Sequence, residues 1–127
     1  MSRPPRAWRS DLGGRSRGAG RRAEWIAALL LMAKGYQILG FRLPSRAGEI
    51  DILARQGRRL VVVEVKRRQT MEAALQALTV EQRRRLLTAG QMIQRGRPQW
   101  RKLDLALDMV ALAPGRFPRH ARDLPQG

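Results

Sequence analysis

Asp51, Glu64 and Lys66 are the residues in this chain whose types and spacing could do chemistry. The segments 48–55 and 59–68 both read as strands, and side chains on a strand alternate faces with period two. Glu49, Asp51, Leu53 and Arg55 therefore share one face, and Leu60, Val62, Glu64 and Lys66 share a face of the next strand. If Gly57-Arg58 is a two-residue hairpin turn with Gly first, Gln56 lies opposite Arg59, Asp51 opposite Glu64 and Glu49 opposite Lys66. Directly opposed Cβ atoms are about 4.5 to 5.5 Å apart, a distance at which one hard cation bridges two carboxylates. A register slipped by two residues keeps both acids on one face. Opposed like charges repel, and Glu64 interrupts an apolar run, so a compensating cation is expected. Two carboxylates completed by water and phosphate are how Mg²⁺ is usually held. Lys66, two residues beyond Glu64 on the same face, is placed to neutralise part of that charge or to reach a phosphate or an attacking water. The competing reading is structural: a salt-bridge cluster in which Lys66 pairs across the strands with Glu49.

Two further sets of acids need placing. Glu24 shares a helical face with Ala27, Ala28 and Leu31 and so points toward the body of the protein. It either joins the site or complements the helix dipole from the first turn. Asp104 and Asp108 share one face of the last strand, and Asp108, between Leu107 and Met109, is the one expected to be buried. The rest of the inventory excludes other chemistries. With no cysteine and a single histidine, His120, the chain has no disulfide framework, no Cys/His zinc site and no thiol- or His-based triad.

The elements that must position these residues follow from pattern. A length of 127 residues suits one domain with flexible ends, since domains usually run to about 100–200 residues. Residues 1–20 are Arg, Gly, Ser and Pro with isolated Trp8 and Leu12, and lack any period that could bury a face; they read as a disordered basic arm. Their Arg-rich, acid-poor make-up also fits a transit peptide, but no amphipathic helix is evident. Arg21 to Lys34 is a helix closed by Gly35, Tyr36 to Leu43 a strand, and the Gly57 hairpin joins the next two strands. The run Leu60 to Val63 suits a strand buried on both faces. Met71 to Leu78 is Ala-rich and weakly helical. A capping box, Thr79 with Gln82, starts a firmer helix that Gly96 and Pro98 end. Leu103 to Leu112 is a final strand, and residues 113–127 read as a flexible tail. The order α-β-β-β-α-β predicts an α/β domain over 21–112, a mixed β-sheet flanked by helices.

Charge points to the partner. The chain carries 26 Lys and Arg against 10 Asp and Glu, a formal +16. Residues 1–22 contribute +6, residues 23–112 +8 and the remainder +2, so the body is basic as well as its ends. Such a field attracts polyanions, nucleic acid first, with RNA and anionic lipid surfaces drawn by the same charge. Arg outnumbers Lys 23 to 3, which partly fits a G+C-rich codon bias. The longest apolar run, Trp25 to Ala33, is nine residues, whereas a membrane-spanning helix needs about 20; no membrane partner is expected, and the location expected is cytoplasmic, with nucleoid association open.

The block Gly48-Glu49-Ile50-Asp51-Ile52-Leu53, a thirteen-residue step from Asp51 to Glu64, and Val63-Glu64-Val65-Lys66-Arg67-Arg68 together resemble the YraN family of small bacterial proteins. That family belongs to the restriction-endonuclease-like superfamily of Asp…Glu-x-Lys nucleases and is similar to archaeal Holliday-junction resolvases. The resemblance spans about residues 18 to 112. It takes in Gly20-Arg21-Arg22-Ala23-Glu24, the Ala74-Leu75 and Ala77-Leu78-Thr79 stretch leading to Gln82-Arg83-Arg84-Arg85-Leu86, and Leu107-Asp108-Met109-Val110. A bare Asp…Glu-x-Lys recurs by chance, whereas the longer block in this order between two helices is specific. Leu43-Pro44-Ser45 stands where many members have a more polar or aromatic strand, and Arg67 follows the lysine where Thr or Ala is common; neither departure removes a ligand.

The resemblance implies a restriction-endonuclease-like core. It assigns Asp51 and Glu64 to metal coordination, Lys66 to transition-state stabilisation or activation of water, and Glu24 to a supporting acid. Gln82 falls where relatives place a polar residue near the site, although capping Thr79 explains it equally well. The implied activity is metal-dependent endonucleolytic hydrolysis of DNA, branched or otherwise structured, in repair or recombination. Asp51, Glu64 and the carbonyl of Val65 would hold Mg²⁺ or Mn²⁺. Arg67, Arg68, Arg83, Arg84, Arg85 and the arm would grip the phosphate backbone with little base reading. Junction-cleaving relatives act as dimers, which leaves a homodimer as an option. Two alternatives stand beside this reading: a non-catalytic nucleic-acid-binding or scaffold protein on the same fold, and, more weakly, a ribosome-associated basic protein.

Overall fold

The β-branched run Leu60–Val63 lies at the centre of the fold, with all four side chains completely buried. They belong to β3, Arg59–Arg67, the middle strand of a five-stranded sheet ordered β1-β2-β3-β4-β5, with β1 Gln37–Leu43, β2 Ile50–Gln56, β4 Asp104–Leu112 and β5 Arg119–Ala121. The computed structural model describes residues 6–125, and the side chains of residues 20–125. A strand buried on both faces needs a layer on each side. Val61 and Val63 face the helix α1, Arg6–Ala33, and pack with Ala27, Ala28 and Leu31. Leu60 and Val62 face the helix α3, Val80–Arg95, and pack with Leu86, Leu87 and Ala89. The result is the expected α/β architecture, a mixed sheet flanked by helices, consistent with a nuclease-like core.

Strand pairing follows from the connections. The β2–β3 turn puts Gly57 at φ +60 while Arg58 keeps a negative φ, the pattern of a type II′ turn with Gly first. It sets the expected register, Gln56 opposite Arg59 through Ile52 opposite Val63. β3 and β4 run parallel, from Arg59 beside Asp104 to Arg67 beside Leu112. A parallel pair requires a crossover, supplied by the short helix α2, Met71–Leu75, by α3, and by a 3₁₀ turn at Pro98–Trp100. Thr70 caps α2 by accepting the Ala73 N–H, and the Thr79–Gln82 capping box that opens α3 is formed in both directions.

Both ends differ from expectation. The backbone of α1 is helical from Arg6, inside the segment read as a disordered arm, while residues 1–5 lie outside the described residues. The periodicity argument asks for a buried face, but a helix nucleated by the packed segment after Arg21 extends at the cost of one residue's ordering per hydrogen bond gained.

The reading of residues 113–127 as a flexible tail is corrected for residues 113–125, while residues 126–127 lie outside the described residues. β5 pairs antiparallel with β4, His120 opposite Val110, and the Leu124 N–H donates to the Leu107 carbonyl. The segment passes from the α1 face to the α3 face, where Leu124 packs against the second core cluster. Polar contacts fasten it. Asp108, fully buried, accepts from His120 Nε2 at 2.8 Å, from the Asp123 N–H at 2.9 Å, from Arg59 at 2.9 Å and from the Tyr36 hydroxyl at 3.3 Å. Lys34 Nζ lies 2.9 Å from His120 Nδ1, so the ammonium donates there and the ring proton sits on Nε2. Apolar pattern could not reveal a segment held chiefly by its hydrogen bonds to a buried acid. Asp108 itself is the buried, hydrogen-bonded aspartate expected, and Asp104 is exposed.

Candidate active site

The hairpin that buries Ile52 and Val63 continues outward to the chemistry-bearing residues. The regular β2–β3 pairing stops at Ile52 and Val63. One step further, Asp51 Oδ2 accepts the backbone N–H of Val65 at 2.9 Å. The ladder is thus extended by a side chain, and Asp51 is tied to the strand that bears Glu64 and Lys66. Within a strand a residue's N–H and C=O lie on the same edge, so the Val65 carbonyl also points to the side occupied by Asp51. Lys66 Nζ lies 3.2 Å from Glu64 Oε2, both side chains largely buried. The pairing of Lys66 with Glu49 considered from sequence is replaced by this one.

Electrostatics mark Glu64 as the unusual group. Burial, then the charge of Asp51 and a hydrogen bond shared with it, push the Glu64 carboxyl up to about 7, with Lys66 pulling the other way. A carboxyl in that condition holds a proton near neutrality unless a cation replaces it. Glu24 reaches the same neighbourhood from α1. Burial raises its carboxyl above the usual range, Arg42 opposes the shift, and the charges of Asp51 and Glu49 add to it. Its direct partner is Arg42, at 2.8 Å. Arg42 carries no local signal in the sequence. It is a non-glycine residue at φ +50 in β1, and no periodic pattern foretells that an arginine will be held in a left-handed conformation opposite a helix.

A cleft of about 160 Å³ opens beside Glu64, lined also by Glu49, Gln82 and Arg85, with Gly48 and Leu86; Asp51, Lys66 and Glu24 do not line it. Gln82 completes the capping box and also borders this cleft. Its Oε1 accepts the Thr79 N–H. Among the other arginines named from sequence, Arg67 and Arg68 are exposed directly beyond Lys66, Arg84 is exposed on α3 and Arg83 is half-buried. The buried Arg83 Nε has no hydrogen-bond partner among the described residues. Of the Arg83-Arg84-Arg85 run, Arg85 is the one that lines the cleft.

The donor set bears on which metal would suit. Among the described residues no group of three or more His, Cys, Asp or Glu is placed to hold a metal ion. An all-protein cage of the kind that binds Ca²⁺ or structural Zn²⁺ is therefore not formed there. Two carboxylates and a backbone carbonyl, all oxygen, fit the sparser protein contribution typical of Mg²⁺, whose remaining positions go to water and phosphate.

Fold and site together define an α/β protein with an Asp…Glu-x-Lys constellation at the open end of a central hairpin. The family described as Uncharacterised protein family UPF0102 matches residues 23–112. The chain belongs to that family, which is the YraN family. It is 56% identical to a UPF0102 protein of Caulobacter sp. (strain K31) over 93% of this chain and 86% of that one. Identity is 47% to one of Parvibaculum lavamentivorans (82% and 78%) and 41% to one of Mesorhizobium japonicum (82% and 83%). No helix among the described residues is long and apolar enough to cross a membrane.

Proposed function

We propose that this chain is a metal-dependent endonuclease that hydrolyses phosphodiester bonds of structured DNA, in repair or recombination. The observation that carries the reading is the juxtaposition of Asp51, Glu64 and Lys66, with the Asp51 carboxylate locked onto the Val65 N–H and Lys66 3.2 Å from Glu64. Asp51, Glu64 and the Val65 carbonyl are the residues that would hold Mg²⁺ or Mn²⁺. Such an ion supplies charge neutralisation at the phosphate and a nucleophilic water near neutral pH. Lys66 balances the negative charge that develops on the phosphoryl oxygens. The strands make this platform rigid, since Asp51 and Glu64 adjoin fully buried Ile52 and Val63. Arg85 and the exposed Arg67 and Arg68 take neighbouring phosphates, which gives steep salt dependence and little base specificity.

One observation favours the second reading, a nucleic-acid-binding protein without catalysis. Lys66 and the proton that Glu64 tends to retain compensate the acids without a metal. The decisive experiment incubates the purified chain with duplex, nicked, flapped and four-way-junction DNA in Mg²⁺, Mn²⁺ or EDTA, beside Asp51→Ala and Glu64→Ala. Cleavage that needs metal and disappears in both variants supports the nuclease. Cleavage that persists in both removes the site, and binding without cleavage of any substrate leaves the binder.

A further inference from the structure

Phe117 is 91% exposed, against 60% for Leu29, the next among the exposed large apolar side chains of the described residues. It stands on the β4–β5 hairpin. The turn is closed by the Arg116 N–H donating to the Ala113 carbonyl, with Gly115 at φ +71. The base of the turn is anchored, because Ala113 is buried with Met71 and Ala74 of α2 and because Arg119 pairs with Ala111. The ring is therefore held in water by a defined turn and not by a slack chain end. Its position is set by the parallel pairing of β3 and β4. Lys66 lies beside Ala111 and Arg67 beside Leu112, and the Arg68 N–H donates to the Leu112 carbonyl. The hairpin thus leaves the sheet at the end where Glu64 and Lys66 lie. Met109 is the partner of Glu64, and Ala113 follows four residues later, roughly 13 Å along the strand. Arg67, Arg68, Arg116 and Arg119 are all exposed around this end.

We infer that Phe117 is a wedge for nucleic acid: its ring stacks on a base at an opened step while the surrounding arginines hold the flanking phosphates. The inference rests on the reading of the chain as a nucleic-acid enzyme or binder and adds the feature recognised. Arginine–phosphate contacts fix a strand but do not distinguish one structure from another. An apolar ring inserted at a base step does, because an unpaired or branched step is already partly unstacked. Ala113, the base of the hairpin, is thus about four base rises of about 3.4 Å along the strand from the level of Glu64, so a nucleic-acid strand crossing this end of the sheet meets both the hairpin and the acidic site. Exposed Phe among arginines also suits an anionic bilayer, but the shared end with the acidic site favours nucleic acid.

The test uses the full chain in EDTA, so that it reads binding alone. Anisotropy is measured on labelled duplex, duplex with one unpaired 2-aminopurine, and a four-way junction with 2-aminopurine at the branch, for the wild type, Phe117→Ala and Phe117→Tyr. Because stacking on one aromatic ring is worth about 1–3 kcal/mol, Phe117→Ala is expected to lose at least about fivefold of the preference for the opened substrates over duplex. It should also lose the 2-aminopurine fluorescence change, with duplex affinity within about twofold of wild type. Phe117→Tyr is expected to retain both. Unchanged preference and fluorescence in Phe117→Ala overturn the wedge and leave the nucleic-acid reading standing. No binding of any DNA by the wild type overturns both. A parallel arm with phosphatidylglycerol vesicles overturns the wedge in favour of a lipid surface if Phe117→Ala weakens vesicle binding and leaves DNA discrimination intact.

Discussion

The carboxylate of Asp51 accepts the backbone N–H of Val65 at 2.9 Å, one step past the last regular pair of the β2–β3 ladder. A side chain thereby does what a strand carbonyl would do, and it fixes the direction of the acid that faces Glu64. The cost of the arrangement falls on Glu64, buried beside a second negative charge and only partly offset by Lys66.

That cost makes stability depend on pH. With its folded value raised to about 7 from 4.5, the Glu64 carboxyl binds its proton more tightly in the folded chain than in the unfolded one. The stabilisation is fully present below about pH 4.5 and is lost as pH rises through 7. At about 1.4 kcal/mol per unit it amounts to on the order of 3 kcal/mol. Glu64→Gln should flatten this dependence and stabilise the metal-free chain at pH 8, while abolishing any metal-dependent cleavage. Thermal melts between pH 5 and 8, with and without Mn²⁺, measure it. A wild type whose Tm does not fall over that range relative to Glu64→Gln contradicts the assignment.

Arg42 can be separated into its charge and its backbone. Arg42→Ala loses the ion pair with Glu24 and leaves a β-carbon at φ +50, whereas Arg42→Gly loses the same pair but tolerates that conformation. The glycine variant should be the more stable of the two by about 0.5–1 kcal/mol, an inversion of the usual preference for alanine. Urea denaturation of the pair decides it, and an alanine variant that is the more stable would show that the left-handed conformation carries no strain.

The contact between α3 and the sheet leaves no room at Gly90. A β-carbon there would meet Val62 Cγ2 at 2.7 Å and Leu105 Cδ1 at 3.1 Å, and Val62 is fully buried in the central strand. Gly90→Ala should therefore destabilise by about 1–3 kcal/mol, despite the better helix propensity of alanine. A measured gain in stability would mean that the helix and sheet separate easily.

Asp108 is expected to govern the C-terminal segment. Burial alone would raise its carboxyl, but hydrogen bonds from His120 and the Asp123 N–H, with the charge of Arg59, hold it below the ordinary range. Its contribution is therefore present above pH 3.8 and is lost as pH falls below that value. Asp108→Ala leaves Arg59 and His120 facing a vacated acid and should cost about 3–5 kcal/mol. Protection of the Leu124 amide, which donates to Leu107, should collapse with it in hydrogen exchange. Protection that survives in a folded Asp108→Ala chain would show that β5 is held by its strand pairing instead.

How much of this could be read beforehand differs from residue to residue. The central hairpin was legible because its determinants are local: Gly57 supplies the positive φ of the turn, and the turn sets the register from Gln56 opposite Arg59 to Ile52 opposite Val63, one step short of Asp51 and Glu64. Thr79 and Gln82 announced the start of α3 for the same reason, three residues apart and bonded to each other's backbone. The partner of Lys66 was legible only as to face, because Glu49 and Glu64 compete for it and a rotamer decides. Arg42, Gln82 as a lining of the cleft, and the strap through His120 and Asp123 were beyond local reasoning, since each depends on elements far apart in the chain.

By itself the sequence determined the strand alternation, the hairpin register, the amphipathic faces and the few acids set in a chain of +16. These are consequences of backbone period and turn chemistry, and they need no knowledge of what packs where. Tertiary structure alone decided that Glu64 would be buried against Asp51 and Lys66, that Glu24 would meet Arg42, and that the C-terminal segment would close on Asp108. Burial and long-range ion pairing depend on the stacking of α1 and α3 over the two faces of one sheet, and that stacking exists only once the whole chain has folded.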